Sequence, residues 1–222
     1  ALLAPQLVAA IGKEPIKGIV LDASYYPANI RIPGIEDSKE SYDALNSALA
    51  VNFNTINAIR NGNNVRSAEN QTPITPLAIS QFRARGPKGR GRISLSQDPA
   101  VSPKYAGELI AAFIGQAGGT VKGPISTGSV PKGLEPVYVH QQSRTLSEIL
   151  VLLLMASNNY IANQVFLEIG GQRKGGPVSL EKSLQAANEI LAANGLADAI
   201  HLEEGSGISR GNRFTARGLA KV

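Results

Sequence analysis

Residues 145–163 read TLSEILVLLLMASNNYIAN, and this stretch says more about the fold than any other part of the chain. Thr145 followed by Glu148 is a capping box, in which the hydroxyl accepts from the third helical N–H and the carboxylate reaches back to the cap. The stretch therefore predicts a helix that begins after Thr145. Its interior, residues 149–155, is apolar on every side, which is typical of a helix buried in the middle of a domain.

The polar triplet Ser157-Asn158-Asn159 follows this apolar helix. Such side chains compete with the backbone for hydrogen bonds and favour helix ends, so a second helix is predicted from Tyr160 to Ile169, ending at Gly170-Gly171. Burial of the three side chains without partners would cost on the order of 1–3 kcal/mol each. Two interpretations stay open on spacing alone: the triplet caps the two helices, or it belongs to a binding site.

Strand-like and helical patterns divide the chain near residue 97. Residues before this point are mostly strand-like, and residues after it are mostly helical, so we expect an α+β fold. The other predicted helices are 2–11, 103–118, 180–194 after a Ser179 cap, and one that begins after Thr215. The predicted strands are 16–22, 49–59 with an Asn61-Gly62 turn, 79–85, 90–96 and 120–126.

Composition excludes several chemistries. The 222 residues are 43% apolar and 18% charged, which is typical of a globular chain. The longest apolar run, Ile149 to Ala156, has eight residues, far fewer than the roughly 20 that span a bilayer, so stable membrane insertion is not expected. The chain has no cysteine for a disulfide or thiolate site, and its two histidines leave little material for a zinc site or a histidine-based triad.

The excess of positive charge is local. The formal net charge is +5, and without a run of five cations the chain would be neutral. The run consists of Arg83, Arg85, Lys88, Arg90 and Arg92. One interpretation places it on a solvated β-hairpin whose turn is 86–89. The other makes it an RNA-binding segment, although Phe82 is the only aromatic residue beside it.

Four segments of the chain, taken in order, resemble a known family. They are IKGIVLD (16–22), NFN (52–54), SRTLSEIL with MASNNYIAN (143–163), and EGSGISR (204–210) followed by Asn212 and Thr215. Together they resemble class C low-molecular-mass penicillin-binding proteins, which are serine D-alanyl-D-alanine carboxypeptidases and endopeptidases. The resemblance runs with few gaps from about residue 2 to 222. It implies a transpeptidase/β-lactamase-like fold, with residues 1–96 as the remainder of strand-rich inserted domains and 97–222 as part of the catalytic domain.

The resemblance implies acyl transfer by an activated serine. Members of the family use three motifs, Ser-x-x-Lys, Ser-x-Asn and Lys-Thr-Gly, and the second matches Ser157 and Asn159. On this match Ser157 hydrogen-bonds the catalytic lysine and relays a proton towards the leaving group, while the amide of Asn159 holds a substrate carbonyl. Asn158 occupies the variable position and is expected to face away from the cleft. Glu204 and Ser206 are expected to have structural roles beside the site.

The other two motifs have no convincing match. The chain contains no Lys-Thr-Gly. Of two Ser-x-x-Lys matches, 129–132 lies in a stretch broken by glycine and proline, and 179–182 is better explained as a helix cap followed by a solvated lysine. We therefore expect the nucleophile and its lysine base to lie outside residues 1–222, which are then the middle segment of a longer protein and inactive alone.

The resemblance also implies partners and a place of action. Members act on peptidoglycan stem peptides, are acylated by β-lactams, need no metal or organic cofactor, and work outside the cytoplasmic membrane, in the bacterial periplasm or an equivalent compartment. No nucleic-acid partner is expected on this interpretation. Two alternatives stay open: a non-catalytic module that binds peptidoglycan or a partner protein on the same scaffold, and an RNA-binding protein that acts through Arg83–Arg92.

Overall fold

Within the residues that the structure describes, the chain forms both helices and three small sheets, which confirms the predicted α+β fold. The computed structural model describes residues 2–12 and 14–222. The helices are α1 (Leu3–Ile11), α2 (Pro76–Arg85), α3 (Val101–Gln116), α4 (Leu146–Ala156), α5 (Asn159–Lys174), α6 (Leu180–Ala193) and α7 (Ala216–Leu219). The strands are β1 (Ile19–Leu21), β2 (Thr55–Asn61), β3 (Asn64–Ser67), β4 (Gly89–Ser94), β5 (Ile125–Thr127), β6 (Ile200–His201) and β7 (Arg213–Phe214). Within the described residues, no helix is both long enough and apolar enough to cross a bilayer.

The main core lies between an antiparallel sheet, in the order β3-β2-β4, and helices α2 and α3. The predicted Asn61-Gly62 turn is confirmed, because β2 pairs with β3 in a register that places Asn61 opposite Asn64. Phe82 of α2, Ile56 of β2 and Leu109 of α3 are each at most 2% exposed. Burial of one such side chain contributes about 1.5–3 kcal/mol, so this cluster is a principal source of stability.

The predicted strand over residues 79–85 is wrong, because these residues belong to helix α2. Thr75 caps the helix by accepting from Ala78 N, and Pro76 occupies its first turn, where a missing N–H costs nothing. Ala78 and Phe82, one helical turn apart, are its buried residues. Strand β4 pairs with β2 instead, so the expected hairpin around 86–89 does not form.

A second, two-stranded sheet joins the beginning of the chain to its middle. Strands β1 and β5 pair in parallel, with Ile19 opposite Ile125, and both strands are shorter than predicted. Helix α3 lies against them at Gly107, where a Cβ atom would come within 2.6 Å of the Leu21 side chain. These contacts and the main core both join residues before position 97 to residues after it. The predicted division into two domains at that position stays a prediction.

Helices α5 and α6 pack closely against each other. The prediction that α5 ends at Gly170-Gly171 is wrong, since the helix continues to Lys174. A Cβ atom on Gly170 would lie 2.5 Å from the backbone nitrogen of Ser183 in α6. The glycine therefore permits close helix packing and does not terminate the helix. The caps at Ser179 and Thr215 are confirmed, because each hydroxyl accepts a backbone N–H of its helix.

Helix α4 contradicts the prediction that it is buried. Its capping box forms as expected, with Thr145 and Glu148 bonded in both directions. None of its residues is buried among the residues that the structure describes, and Leu154 and Met155 are 78% and 81% exposed. An all-apolar helix requires a partner, and the described part of the chain supplies none that covers it.

Candidate active site

The polar triplet turns the chain from α4 into α5. Ser157 adopts a left-handed conformation, with φ 47° and ψ 48°, at the end of α4. Asn158 then caps α5, because its Oδ1 accepts from Ile161 N at 3.0 Å. The capping interpretation is therefore confirmed for Asn158. The side chains of Ser157 and Asn159 form no hydrogen bond within residues 2–12 and 14–222, which leaves both available to a ligand.

Both residues line a cleft of about 340 Å³. Ser157 is exposed and Asn159 is half-buried. The cleft brings the triplet together with residues more than sixty positions earlier in the chain. Its lining consists of Ser41, Tyr42, Phe53, Thr55, Arg92, Ala156, Ser157, Asn158, Asn159 and Tyr160. Asn158 is also among the lining residues, but its side-chain oxygen is used to cap α5, and the expectation that this side chain faces away from the cleft stays a prediction.

A left-handed turn at Asn52-Phe53-Asn54 presents an aromatic ring to the cleft. All three residues have φ between 51° and 58°, a conformation that asparagine tolerates but that strains phenylalanine. Asn54 fixes the turn, because its amide nitrogen donates to Leu45 O at 2.7 Å and its amide oxygen accepts from Ser102 Oγ at 2.8 Å. The Phe53 ring lies 6.1 Å from the ring of Tyr160 in α5. Hydrogen bonds to Leu45 and Ser102 and the neighbouring ring of Tyr160 therefore hold the turn in place.

Hydrogen bonds from Asn46 hold the first turn of α5, next to the cleft. Asn46 donates to the carbonyl oxygen of Tyr160 at 3.0 Å and to Oε1 of Gln164 at 2.9 Å. Burial raises the pKa of the Tyr160 hydroxyl well above its usual value, so the phenol stays neutral. These contacts fix the backbone next to Asn159 and thereby limit where its side-chain amide points.

Glu204 organises the loop that follows β6. It is 1% exposed and accepts from the backbone and hydroxyl of Ser206, from Gly207 N and from the Asn212 amide. Burial raises its pKa, but these hydrogen bonds outweigh that effect and hold the pKa below 4.5. A buried carboxylate is stable only with such partners. The contacts support the predicted structural role of Glu204 and Ser206.

Asn163 links this loop to the cleft helix. The side chain is 1% exposed, its Oδ1 accepts from Gly205 N at 2.8 Å, and its Nδ2 donates to Ser206 Oγ at 3.2 Å. Asn163 lies four residues, about one helical turn, after Asn159. The Glu204 loop and the cleft therefore share one helix.

Neither Ser-x-x-Lys match forms a nucleophile and base. Ser129 lies in the irregular segment after β5. Ser179 accepts from the backbone of Lys182, whose ammonium donates to Gly175 O and Pro177 O, each at 2.8 Å. The lysine predicted to be solvated thus binds the carboxyl end of α5. Both serines lie outside the lining of the cleft.

Most of the arginine run serves the fold. Arg83 donates to Asn63 O, Arg85 donates to Ser94 O, and Arg92 pairs with Glu69. Cations committed to such contacts are poorly placed for an extended RNA backbone, which weighs against the RNA-binding alternative. Among the residues described, no cluster of three or more His, Cys, Asp or Glu side chains is arranged to hold a metal ion.

Sequence reasoning missed Tyr42, Phe53 and Arg92 as cleft residues. Phe53 lies in a segment that carried the family resemblance, which was a usable signal for a role near the site. Tyr42 and Arg92 reach the cleft only through tertiary contacts, and Arg92 was assigned to a charged run.

Comparisons with known proteins identify the family of this chain. Residues 88–222 match the model of the D-Ala-D-Ala carboxypeptidase 3 (S13) family. A D-alanyl-D-alanine carboxypeptidase of Actinomadura sp. (strain R39) is 37% identical over 114 residues, which are 50% of this chain and 21% of that protein. The crystal structure of penicillin binding protein 4 from Haemophilus influenzae superposes with a TM-score of 0.66 at 18% identity, over 91% of this chain and 52% of that one.

The structural likeness confirms the predicted penicillin-binding, β-lactamase-like fold. The chain spans about one fifth of the carboxypeptidase and about half of penicillin binding protein 4. The family model covers more than half of the chain, and the chain therefore belongs to the S13 family of D-Ala-D-Ala carboxypeptidases.

Proposed function

We propose that these residues are part of a longer serine-type D-Ala-D-Ala carboxypeptidase or endopeptidase that acts on peptidoglycan peptides and is acylated by penicillin. The observation that carries the proposal is the open cleft at the α4–α5 junction. In a chain of this family, Ser157 and Asn159 reach that cleft with no hydrogen-bond partner among the described residues. Polar side chains that lie in a cleft without protein partners are suited to binding a ligand.

Ser157 and Asn159 support a reaction whose nucleophile lies elsewhere. In the proposed reaction a serine oxygen attacks the carbonyl carbon of the penultimate D-Ala, and the C–N bond to the terminal D-Ala breaks. The serine proton passes to a lysine and then, through Ser157, to the leaving amine. Water hydrolyses the resulting ester and regenerates the serine. Asn159 holds a substrate carbonyl through its amide nitrogen and so fixes the peptide for attack.

The reactive serine and lysine are proposed to come from residues outside 1–222. Activation needs the two side chains about one helical turn apart. The irregular segment that holds Ser129 and the helix cap formed by Ser179 do not provide this arrangement. The carboxypeptidase and penicillin binding protein 4 are two to five times as long as the stretch that they share with this chain, which leaves room for the missing motifs.

The place of action follows from the proposed substrate. Peptidoglycan peptides lie outside the cytoplasmic membrane, so we propose a periplasmic or equivalent extracytoplasmic location in a bacterium. Acyl transfer by serine and lysine requires no metal or organic cofactor. The partners are then peptidoglycan stem peptides and, as mimics, β-lactams.

Fluorescent penicillin tests the proposal. The longer natural protein that contains these residues should become covalently labelled, and the 222-residue chain alone should not. Ser157→Ala should lower the acylation rate constant about 100-fold, which is the lower end for loss of a proton-transfer group. Ser179→Ala is the matched control: it removes a serine cap outside the cleft and should leave labelling unchanged. An unlabelled longer protein that still binds peptidoglycan would support the non-catalytic alternative instead.

A further inference from the structure

Another cavity, of about 540 Å³, is lined by residues from the segments 21–30, 46–48, 99–103 and 127–129. It is named the Asn46 cavity, and it shares no lining residue with the cleft of Ser157. Its volume is within the range of small-molecule sites, about 300–1,000 Å³. We infer that the Asn46 cavity binds a small organic ammonium ion, that is, a protonated primary amine on an apolar body. The inference does not depend on the proposed reaction.

Asn46 supplies a buried acceptor that has no donor. The residue is 4% exposed and lines the cavity. Within the described residues, its Oδ1 is the one buried side-chain oxygen or nitrogen without a hydrogen-bond partner in the protein. Burial of an acceptor in this state is unfavourable. A ligand that donates a hydrogen bond to Oδ1 therefore removes a cost that the folded chain otherwise carries.

The other contacts of the Asn46 amide direct its oxygen away from α5. Both N–H bonds of Nδ2 are used toward that helix, on Tyr160 O at 3.0 Å and on Gln164 Oε1 at 2.9 Å. The same two bonds identify this end of the amide as the nitrogen, because two acceptors require a donor. None of the described residues that line the cavity belongs to α5. The free oxygen thus lies on the side of the amide that faces the cavity.

The charge of the lining favours a cation. Asp22 is the only described lining residue with a formal charge at neutral pH. Its carboxylate accepts from Ser24 N at 2.9 Å and from Val130 N at 2.7 Å, and hydrogen bonds from these two residues hold its pKa below the usual 3.8. A carboxylate has roughly four acceptor positions, so it can accept further N–H groups. An ammonium group supplies three such donors and the opposite charge.

The rest of the lining explains the apolar body of the ligand. Much of it consists of buried or half-buried apolar side chains such as Leu21 and Pro103. The buried Tyr26 hydroxyl is already occupied, since it donates to Glu168 Oε1 and accepts from Gln164 Nε2, both at 2.8 Å. A ring on a short chain that ends in an ammonium group combines the apolar contacts with donors for Asp22 and Asn46.

The test compares an amine with its neutral analogue on the 222-residue chain. Phenethylammonium and phenethyl alcohol differ only in the polar group, and isothermal titration calorimetry measures the dissociation constant of each. The ammonium ion should bind about tenfold more tightly than the alcohol, which is the effect of one hydrogen bond to a charged group. Asp22→Asn keeps the size of the side chain and one of its oxygens. It should weaken binding of the ammonium ion about tenfold and binding of the alcohol less than about twofold.

Asp98→Asn is the matched control. Asp98 likewise accepts from the backbone nitrogen two residues later, Ala100 N at 2.9 Å, but it lies outside the lining of the cavity. Its substitution should leave both affinities unchanged. In the wild-type chain, the side-chain N–H resonances of Asn46 should shift when the ammonium ion is added, which locates the ligand.

Three results would overturn the inference. The first is an ammonium ion that does not bind, or binds no more tightly than the alcohol, to the wild-type chain. The second is an equal loss of affinity in Asp22→Asn and Asp98→Asn. The third is a saturated chain whose Asn46 resonances have not moved. Because the comparison of the two ligands and the Asn46 resonances need no substitution, they decide the question even where Asp22→Asn does not fold.

Discussion

Helices α3 and α4 show that an apolar sequence does not by itself secure burial. In α3, seven of the sixteen residues are buried, although the helix carries a lysine and a glutamate. In α4, none of the eleven residues is buried, although eight in succession are apolar. The residues of α3 face a sheet that the same chain builds. The residues of α4 face no such surface in the described structure, and we interpret this as the place where the proposed longer protein completes the cleft.

Truncating one leucine in each helix should produce the largest difference. Leu109→Ala in α3 removes a side chain that is 1% exposed, and we expect a loss of about 2–5 kcal/mol in the free energy of unfolding. Leu154→Ala in α4, at 78% exposure, should cost less than about 0.5 kcal/mol. Urea denaturation of both variants measures the difference. Equal losses would show that α4 is packed in solution and would remove the contrast between the helices.

The loop organised by Glu204 is a buried polar region whose hydrogen-bond partners lie within the chain. It therefore contrasts with α4, which lacks a partner in the described residues. Glu204→Gln keeps the shape of the side chain but removes the charge that several donors share, so we expect a loss of about 2–3 kcal/mol at pH 7. The folded pKa lies below the ordinary value of 4.5. The stability that it provides is therefore fully present above that value and is lost as the pH falls through the folded pKa.

Denaturation curves of wild type and Glu204→Gln between pH 7 and pH 3 check this prediction. The gap between the two proteins should narrow below about pH 4.5. A gap that stays constant across the whole range would mean that the charge of Glu204 does not contribute to stability.

Removal of a helix cap should give the smallest losses of stability, and the loss should differ between a helix of the main core and the exposed α4. Thr75→Ala removes the buried cap of α2, which packs in the main core, and should cost about 1 kcal/mol of global stability. Thr145→Ala removes the cap of the exposed α4 and should fray that helix with little global effect. Hydrogen exchange of the α4 amides, set beside global unfolding, distinguishes the outcomes. A global loss from Thr145→Ala as large as that from Thr75→Ala would contradict the exposure of α4.

Local signals predicted much of the fold. The caps at Thr145, Ser179 and Thr215 and the turn at Asn61-Gly62 are short-range patterns, and the structure confirms each of them. The strand prediction for 79–85 failed because the start signal at Thr75-Pro76 was overlooked and the helix has little amphipathic character. Whether α4 is covered depends on residues far away or outside the chain, so its own apolar pattern could not settle the question.

The candidate site likewise contains residues that a local motif predicted and residues that only the fold brings together. Ser157 and Asn159 are neighbours in the sequence, and the motif places them together without any knowledge of the fold. Arg92 reaches the same cleft because β4 pairs with β2 and because Glu69 fixes its side chain. Phe53 reaches it through a left-handed turn that Asn54 stabilises. Contacts of this kind connect distant parts of the chain, and apart from the family resemblance of residues 52–54 they leave no local pattern in the sequence.

A crystal structure of the longer natural protein after reaction with a penicillin tests the central proposal most directly. We predict an ester between the β-lactam carbonyl carbon and a serine outside residues 1–222. The Asn159 amide should lie within hydrogen-bonding distance, about 2.7–3.2 Å, of the bound acyl group, with the Ser157 hydroxyl beside the catalytic lysine. An ester on a serine of this chain, or a bound acyl group remote from the α4–α5 junction, would contradict the account.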